Sequence, residues 1–325
     1  MKAIDHNLPS VAALLHQAQK GPGGPCATCR VKTYPDGSVE LLACDQAVFH
    51  PKGWERAGWH PKGRQRAATA AREATPEENQ RANLDRAMRR ARAQVRDIAL
   101  SNPFRWFVTL TLDQARVDRH DMAAITRKLN AWLDNQVRRH GLAYVLVPER
   151  HKDGAIHFHG FFNDAVRAVP SGHADKGGHP IFNLPGWTLG FTTAIQLYGD
   201  YHAAVGYVCK YIGKQGEKPG GRWYYSGGQL ARPQVSYTDV GPRDVEQLAG
   251  EGGVHRFDVP EAGLSFALLR TLPERRDFGG KTCGKLGEDR HHGGRPELPM
   301  VGALPEPEVL EVRPGQRPAE GPGQV

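Results

Sequence analysis

The chain has 325 residues, 39% of them hydrophobic and 24% charged, and a formal net charge of +8. That length supports a substantial buried core with a smaller module or long tails beside it. No window reaches the ~18 apolar residues of a membrane span, and the basic balance makes a polyanion a natural partner, set against the plainer reading of a solvated basic surface.

The first twenty residues lack an apolar stretch of signal-peptide length, so the expectation is a soluble protein of the cell interior with no membrane partner. The 38 glycines and 24 prolines concentrate towards the two ends, predicting an ordered middle and loose flanks. Five cysteines are an odd number for a disulfide framework and point to reduced thiols, some of them available to a metal.

Residues 1–74 read as an N-terminal module. Its segment "RVKTYPDGSVELLACD" holds two short alternating runs about Asp36-Gly37, a β-hairpin pattern. Cys26 and Cys29 precede the hairpin and Cys44 ends it, so three thiolates with His50 as a fourth ligand make a candidate Zn²⁺ site at its open end; unconnected thiols are the alternative.

A helix is predicted from Thr75 as N-cap with Pro76 at its first position, carrying Leu84, Met88, Ala91, Val95 and Ile98 on one stripe. Arg81, Arg86, Arg89, Arg90, Arg92 and Arg96 crowd its remaining surface, either as a solvated face or as contacts to a DNA backbone. Next come a strand in "FRWFVTLTLD", a helix closed by Gly141, strands in "AYVLVPE" and "AIHFHGFF" joined by the turn "HKDG", a strand in "WTLGFTTAIQLY", and a helix from Asp200 through Lys214. Adjacent strands joined by a short turn pair antiparallel, so residues 75–240 are expected to be an α+β domain with helices packed on a central antiparallel sheet. Periodicity fades after about residue 240, and 241–325 is expected to be a largely disordered C-terminal extension.

Side chains alternate along a strand, so His157 and His159 project from one face while Phe158 takes the other. The turn through Asp153-Gly154 brings Glu149 back beside them. Two imidazoles and a carboxylate leave open coordination positions, which suits Mg²⁺ or Mn²⁺ holding a phosphate oxygen. Against this stands a surface Glu149 paired with Arg150 or Lys152, and a solvated His151. Thr109 and Thr111 share a strand face and are assigned a supporting role in lining the site.

Tyr207 and Tyr211 are four apart and so stack on one helical face, with Lys210 and Lys214 expected as a second row beside them. A phenol is a weak nucleophile at neutral pH unless a cation offsets the developing phenolate. The alternative is ordinary packing with snorkelled lysines.

Taken together and in this order, "FVTLTLD", "ERHKDGAIHFHG" and "YVCKYIGK" resemble motifs one, two and three of the HUH superfamily of rolling-circle replication initiators. The doubled "YxxKYxxK" is similar to the two-tyrosine branch of small bacteriophages, and "GRWYYSGG" resembles the segment just downstream of it in filamentous-phage-like and plasmid initiators. The resemblance spans roughly residues 80–240. It implies an RRM- or ferredoxin-like palm with the His-x-His on a middle strand and the tyrosine helix lying across it. It further implies Mg²⁺ or Mn²⁺ on His157, His159 and Glu149, and a nick in single-stranded origin DNA by Tyr207 or Tyr211, with Lys210 or Lys214 stabilising the charge. A bacterial host's cytoplasm, helicase and polymerase complete that picture. The other readings are a non-catalytic origin-binding protein or repressor, and a phosphoesterase using activated water.

Overall fold

The computed structural model describes residues 11–21, 26–50, 75–151, 153–175, 177–197, 200–214, 218–249 and 253–271. It is α+β, with two antiparallel sheets.

The chain opens with α1 (Val11–Lys20) and the expected hairpin, β1 (Cys29–Thr33) and β2 (Val39–Cys44). Its turn is closed by the Tyr34 N–H donating to the Ser38 carbonyl and the Gly37 N–H donating to the Tyr34 carbonyl. Then α2 (Pro76–Ser101) starts at a capping box: the Thr75 hydroxyl accepts from the Glu78 N–H while the Glu78 carboxylate accepts from the Thr75 N–H. Ala91, Val95 and Ile98 of the predicted stripe are buried.

β3 (Trp106–Leu112), α3 (Met122–His140), β4 (Tyr144–Arg150) and β5 (Ile156–Phe162) come next, in the order the sequence predicts. α3 is capped by the Asp121 carboxylate and closed by Gly141. Two further strands, β6 (Val169–Ala174) and β7 (Pro180–Asn183), precede β8 (Gly190–Gln196). After α4 (Tyr201–Tyr211) come β9 (Tyr225–Gly227), β10 (Gln234–Thr238), α5 (Pro242–Ala249), β11 (His255–Val259) and β12 (Leu264–Arg270).

The larger sheet has seven strands in the order β6-β7-β8-β3-β5-β4-β9. Strand parity divides its side chains. Val108, Leu110, Leu112, Leu146, Phe158 and Phe162 pack with Ile125, Leu129 and Leu133 of α3 on one face. On the other, Val145, Val147 and Phe161 pack with Val95 and Ile98 of α2 and Val205 and Val208 of α4. His157, His159 and Phe161 share that second face by alternation.

Gly160 lies between these faces at a close approach: a Cβ there would sit 1.9 Å from the Val145 carbonyl oxygen of β4. Gly160→Ala therefore has to push apart the strands that carry Glu149 and the two histidines. It is expected to cost about 3 kcal/mol, read as a lowered urea midpoint; an unchanged midpoint would mean that β4 and β5 tolerate the separation.

The smaller sheet, β10-β1-β2-β12-β11, takes strands from both ends of the described chain. Residues 242–270, expected to be largely disordered, instead supply α5, β11 and β12, which close over the N-terminal hairpin. β10 pairs with β1 although it lies before residue 240. The boundaries expected at 74 and 240 thus do not coincide with the edges of the sheets. A lone hairpin cannot bury a face, and these later strands give β1 and β2 their core with Leu14 of α1 and Val245 of α5. The expected disorder beyond residue 271 lies outside the described residues.

A buried ionic network fixes this module on α2. The Lys32 ammonium lies 2.9 Å from the Asp97 carboxylate and 3.2 Å from Glu40, Tyr34 donates to Asp97, and Arg270 reaches Glu40 at 2.8 Å. Burial works to raise the Glu40 pKa, but Lys32 and Arg270 outweigh it and hold the carboxyl below its usual range. A second tie runs from the hairpin turn to the first turn of α4, where His202 Nε2 lies 2.8 Å from Asp36.

Candidate active site

β3, β4, β5 and α4 bring most of the expected residues to one place. In the antiparallel register Thr109 faces His159, Thr111 faces His157, and Glu149 faces His157 across β4. The threonine hydroxyls lie 3.1 Å from His159 Nδ1 and 3.5 Å from His157 Nδ1. A partner on Nδ1 fixes the ring and leaves Nε2 as the working nitrogen. The matching period of Thr-x-Thr and His-x-His is the sequence signal for this contact.

His159 is buried, and its Nε2 lies 2.8 Å from Oε2 of Glu149 without the alignment of a hydrogen bond. The other Glu149 oxygen accepts a hydrogen bond of 2.9 Å from the Lys214 ammonium. Burial alone would raise the Glu149 pKa, but contact with His159 and Lys214 lowers it to about 2, so the carboxylate is ionised at neutral pH. The Arg150 guanidinium donates to the Gly154 carbonyl. Lys152 lies outside the described residues.

The tyrosines meet this cluster from α4. The Tyr211 ring stacks on His159 with centroids 4.2 Å apart and planes 7° from parallel. Tyr207 packs edge-on against Tyr211 and Phe107, and the two phenol oxygens are 2.7 Å apart, Tyr211 donating. α4 ends at Tyr211, earlier than the pattern predicted. Gly213 has φ 77°, and a Cβ there would strike the Met88 sulfur of α2 at 1.9 Å. Lys214 is therefore in the turn after the helix, not in a row with Lys210, and this is what lets it reach Glu149 and sit 5.7 Å from the Tyr211 ring. Lys210 is exposed on the last helical turn. Arg92, one of the arginines read as solvated or DNA-facing, instead donates from two nitrogens to the Ile212 carbonyl and caps the end of α4.

His157 stands further out, its ring 6.5 Å from that of His159 and stacked at 4.7 Å on His151, which is thus not a free turn residue. Burial and then the neighbouring His151 and His159 push its pKa down to about 4, so it is a neutral imidazole at pH 7. Among the described residues no three His, Cys, Asp or Glu side chains are gathered as a metal-holding group. Imidazole nitrogen and carboxylate oxygen are both donor types that Mg²⁺ or Mn²⁺ accepts, and His159 Nε2 and Glu149 Oε2 lie 2.8 Å apart.

The four residues of the candidate zinc site do not converge. Cys26 Sγ and His50 Nδ1 are 3.3 Å apart. Cys29 is buried in the core of the smaller sheet, and burial pushes its thiol up to about 12. Because Cys29 pairs with Ala43, Cys44 projects from the opposite face of the sheet, where its thiol donates to Asp45.

Residues 105–216 match the model of a family described as replication-associated protein ORF2. The matched segment runs from the start of β3 to just past α4 and contains every histidine, carboxylate and tyrosine of the cluster, which supports a part in DNA replication. No curated protein matches the chain, and no solved structure matches it.

Proposed function

We propose that the protein initiates rolling-circle replication as an HUH endonuclease of the two-tyrosine kind, nicking single-stranded DNA at an origin. The observation that carries this reading is the stack of Tyr211 on His159, with Tyr207 hydrogen-bonded to Tyr211 and Glu149 against His159 Nε2. It puts two nucleophiles within one helical turn beside a carboxylate and an imidazole.

In the reaction a phenol oxygen forms a bond to phosphorus and the P–O3′ bond breaks. The products are a 5′-phosphotyrosyl protein and a 3′-hydroxyl, the phenol proton replacing phosphorus on the departing oxygen. One phosphodiester is exchanged for another, so rejoining needs no ATP. The 3′-hydroxyl primes a host polymerase, with strand separation by a host helicase.

His159, Glu149 and His157 are the residues that would hold Mg²⁺ or Mn²⁺, which supplies Lewis-acid polarisation of the scissile phosphate when bound. Lys214 keeps a positive charge beside the Tyr211 ring, where phenolate develops. Lys210 is exposed on the last turn of α4, and in this reading its role is to contact incoming phosphates. With two tyrosines the covalent bond can pass from one to the other when a regenerated origin is cut. The setting is a bacterial cytoplasm; among the described residues no helix is long and apolar enough to cross a membrane.

The test is incubation of the full chain with single-stranded oligonucleotides tiled across candidate origins, in Mg²⁺ or Mn²⁺. A denaturant-resistant protein–DNA adduct, lost with chelator, is expected. Tight origin binding with no adduct in either metal would favour the non-catalytic origin-binding reading.

A further inference from the structure

α2 and the segment leading into β9 border an open cleft of about 460 Å³ that the chemistry above does not use. Its small wall is Ala87 and Ala91 of α2; Arg90, Gln94, Arg222, Trp223, Tyr224 and Ser226 line the remainder. Arg90 and Arg222 are exposed, so two permanent positive charges stand beside it, the Arg222 guanidinium 5.6 Å over the neighbouring Tyr225 ring. Trp223 is only 9% exposed, yet its Nε1, which can only donate, has no hydrogen-bond partner. Tyr224 is held in place by its hydroxyl on Gln94. Lys218 adds a third cation, its ammonium 5.6 Å over the Trp223 ring.

Cations near the rim and aromatic rings in the wall are what an anion bearing a flat ring would satisfy. The location agrees. β9 is the edge strand beside β4, which carries Glu149, and α2 covers the same sheet face as His157 and His159.

We propose that this cleft binds one unpaired nucleotide of the DNA strand being cut, its phosphate on Arg90 and Arg222 and its base against Trp223 and Tyr224. The proposal rests on the single-stranded-DNA reading above. It assigns the arginines of α2 unequal roles: Arg90 touches the nucleotide, whereas Arg81 and Arg86, nearer the start of the helix, contribute only general charge.

The experiment uses the full chain carrying Tyr207→Phe and Tyr211→Phe, so that binding is read without a covalent step. A short fluorescein-labelled single-stranded oligodeoxynucleotide is titrated by anisotropy. Arg90→Ala with Arg222→Ala is expected to weaken binding about tenfold, and Arg81→Ala with Arg86→Ala, which removes the same charge, distinctly less. A 5-bromouracil version of the probe is expected to cross-link to Trp223 or Tyr224, and the matching duplex to compete poorly. Equal losses from the two arginine pairs, cross-links confined to other peptides, or a duplex that competes as well as the single strand would each overturn the proposal. Failure of the parent to bind the single strand at all would overturn the DNA reading itself, so the two failures are distinguishable.

Discussion

The Tyr207→Phe/Tyr211→Phe double variant is expected to form no covalent adduct with single-stranded origin DNA, whereas each single variant still forms one on its remaining tyrosine. The substitution removes only the hydroxyls. The stack of ring 211 on His159 at 4.2 Å and the edge contact between the two rings at 5.2 Å depend on the rings and persist. Folding should therefore change by about 1 kcal/mol or less, which a urea titration verifies. A phenol of ordinary pKa ≈ 10 is ionised in only about one molecule in a thousand at neutral pH, so whatever stabilises the attacking oxygen sets the rate. As the bond is arranged, Tyr211 donates to the Tyr207 oxygen. Tyr211→Phe removes that donor, and attack by Tyr207 should slow about tenfold, the worth of one hydrogen bond. Tyr207→Phe leaves Tyr211 with Lys214 beside its ring and should slow its attack less. Mass spectrometry of the adduct peptide identifies the nucleophile in each case. An adduct that survives in the folded double variant would remove both tyrosines from the chemistry.

Those tyrosines were legible in the sequence because four residues are nearly one helical turn, and the histidines because a strand alternates strictly. Local rules of this kind also gave α2 with its capping box and α3 with its closing glycine. What local rules could not give was anything decided by a distant partner. β10 and β11 have only 5 residues each, and Val235 and Phe257 on them stay exposed. β10 and β12 become strands because β1 and β2, far away in the chain, offer them open edges, and β11 pairs in turn with β12. The end of α4, by contrast, had a local signal in Gly213, whose φ of 77° follows the helix as that of Gly141 follows α3, and the repeated Tyr-x-x-Lys pattern masked it. That early stop moves Lys214 from the Tyr-x-x-Lys pattern to the Glu149 carboxylate. The sequence suggested two equivalent Tyr/Lys pairs; the geometry makes Lys214 part of the cluster and leaves Lys210 on the surface. Similarly, Cys29 and Cys44 look close when counted along a hairpin, but strand parity sends them to opposite faces.

Glu149→Gln is expected to lower the rate of adduct formation about a hundredfold and to destabilise the metal-free protein in a pH-dependent way. In the folded chain the carboxylate lies between His159 and Lys214 at 2.8 and 2.9 Å, and its pKa falls from 4.5 to about 2. A depression of that size corresponds to about 3 kcal/mol at most, present in full above the unfolded value and lost as pH falls through the folded one. The stability gap between wild type and variant, measured by urea unfolding, should therefore be largest near neutrality and shrink between about pH 5 and pH 2. A gap that does not change with pH would show that ionic pairing is not what Glu149 contributes. For activity, two roles predict different rescue. If Glu149 is a ligand, the neutral amide oxygen binds the ion more weakly, and raising Mn²⁺ should restore part of the lost rate. If Glu149 serves only to anchor Lys214, added metal restores nothing, and Lys214→Met should reproduce the defect of Glu149→Gln in full.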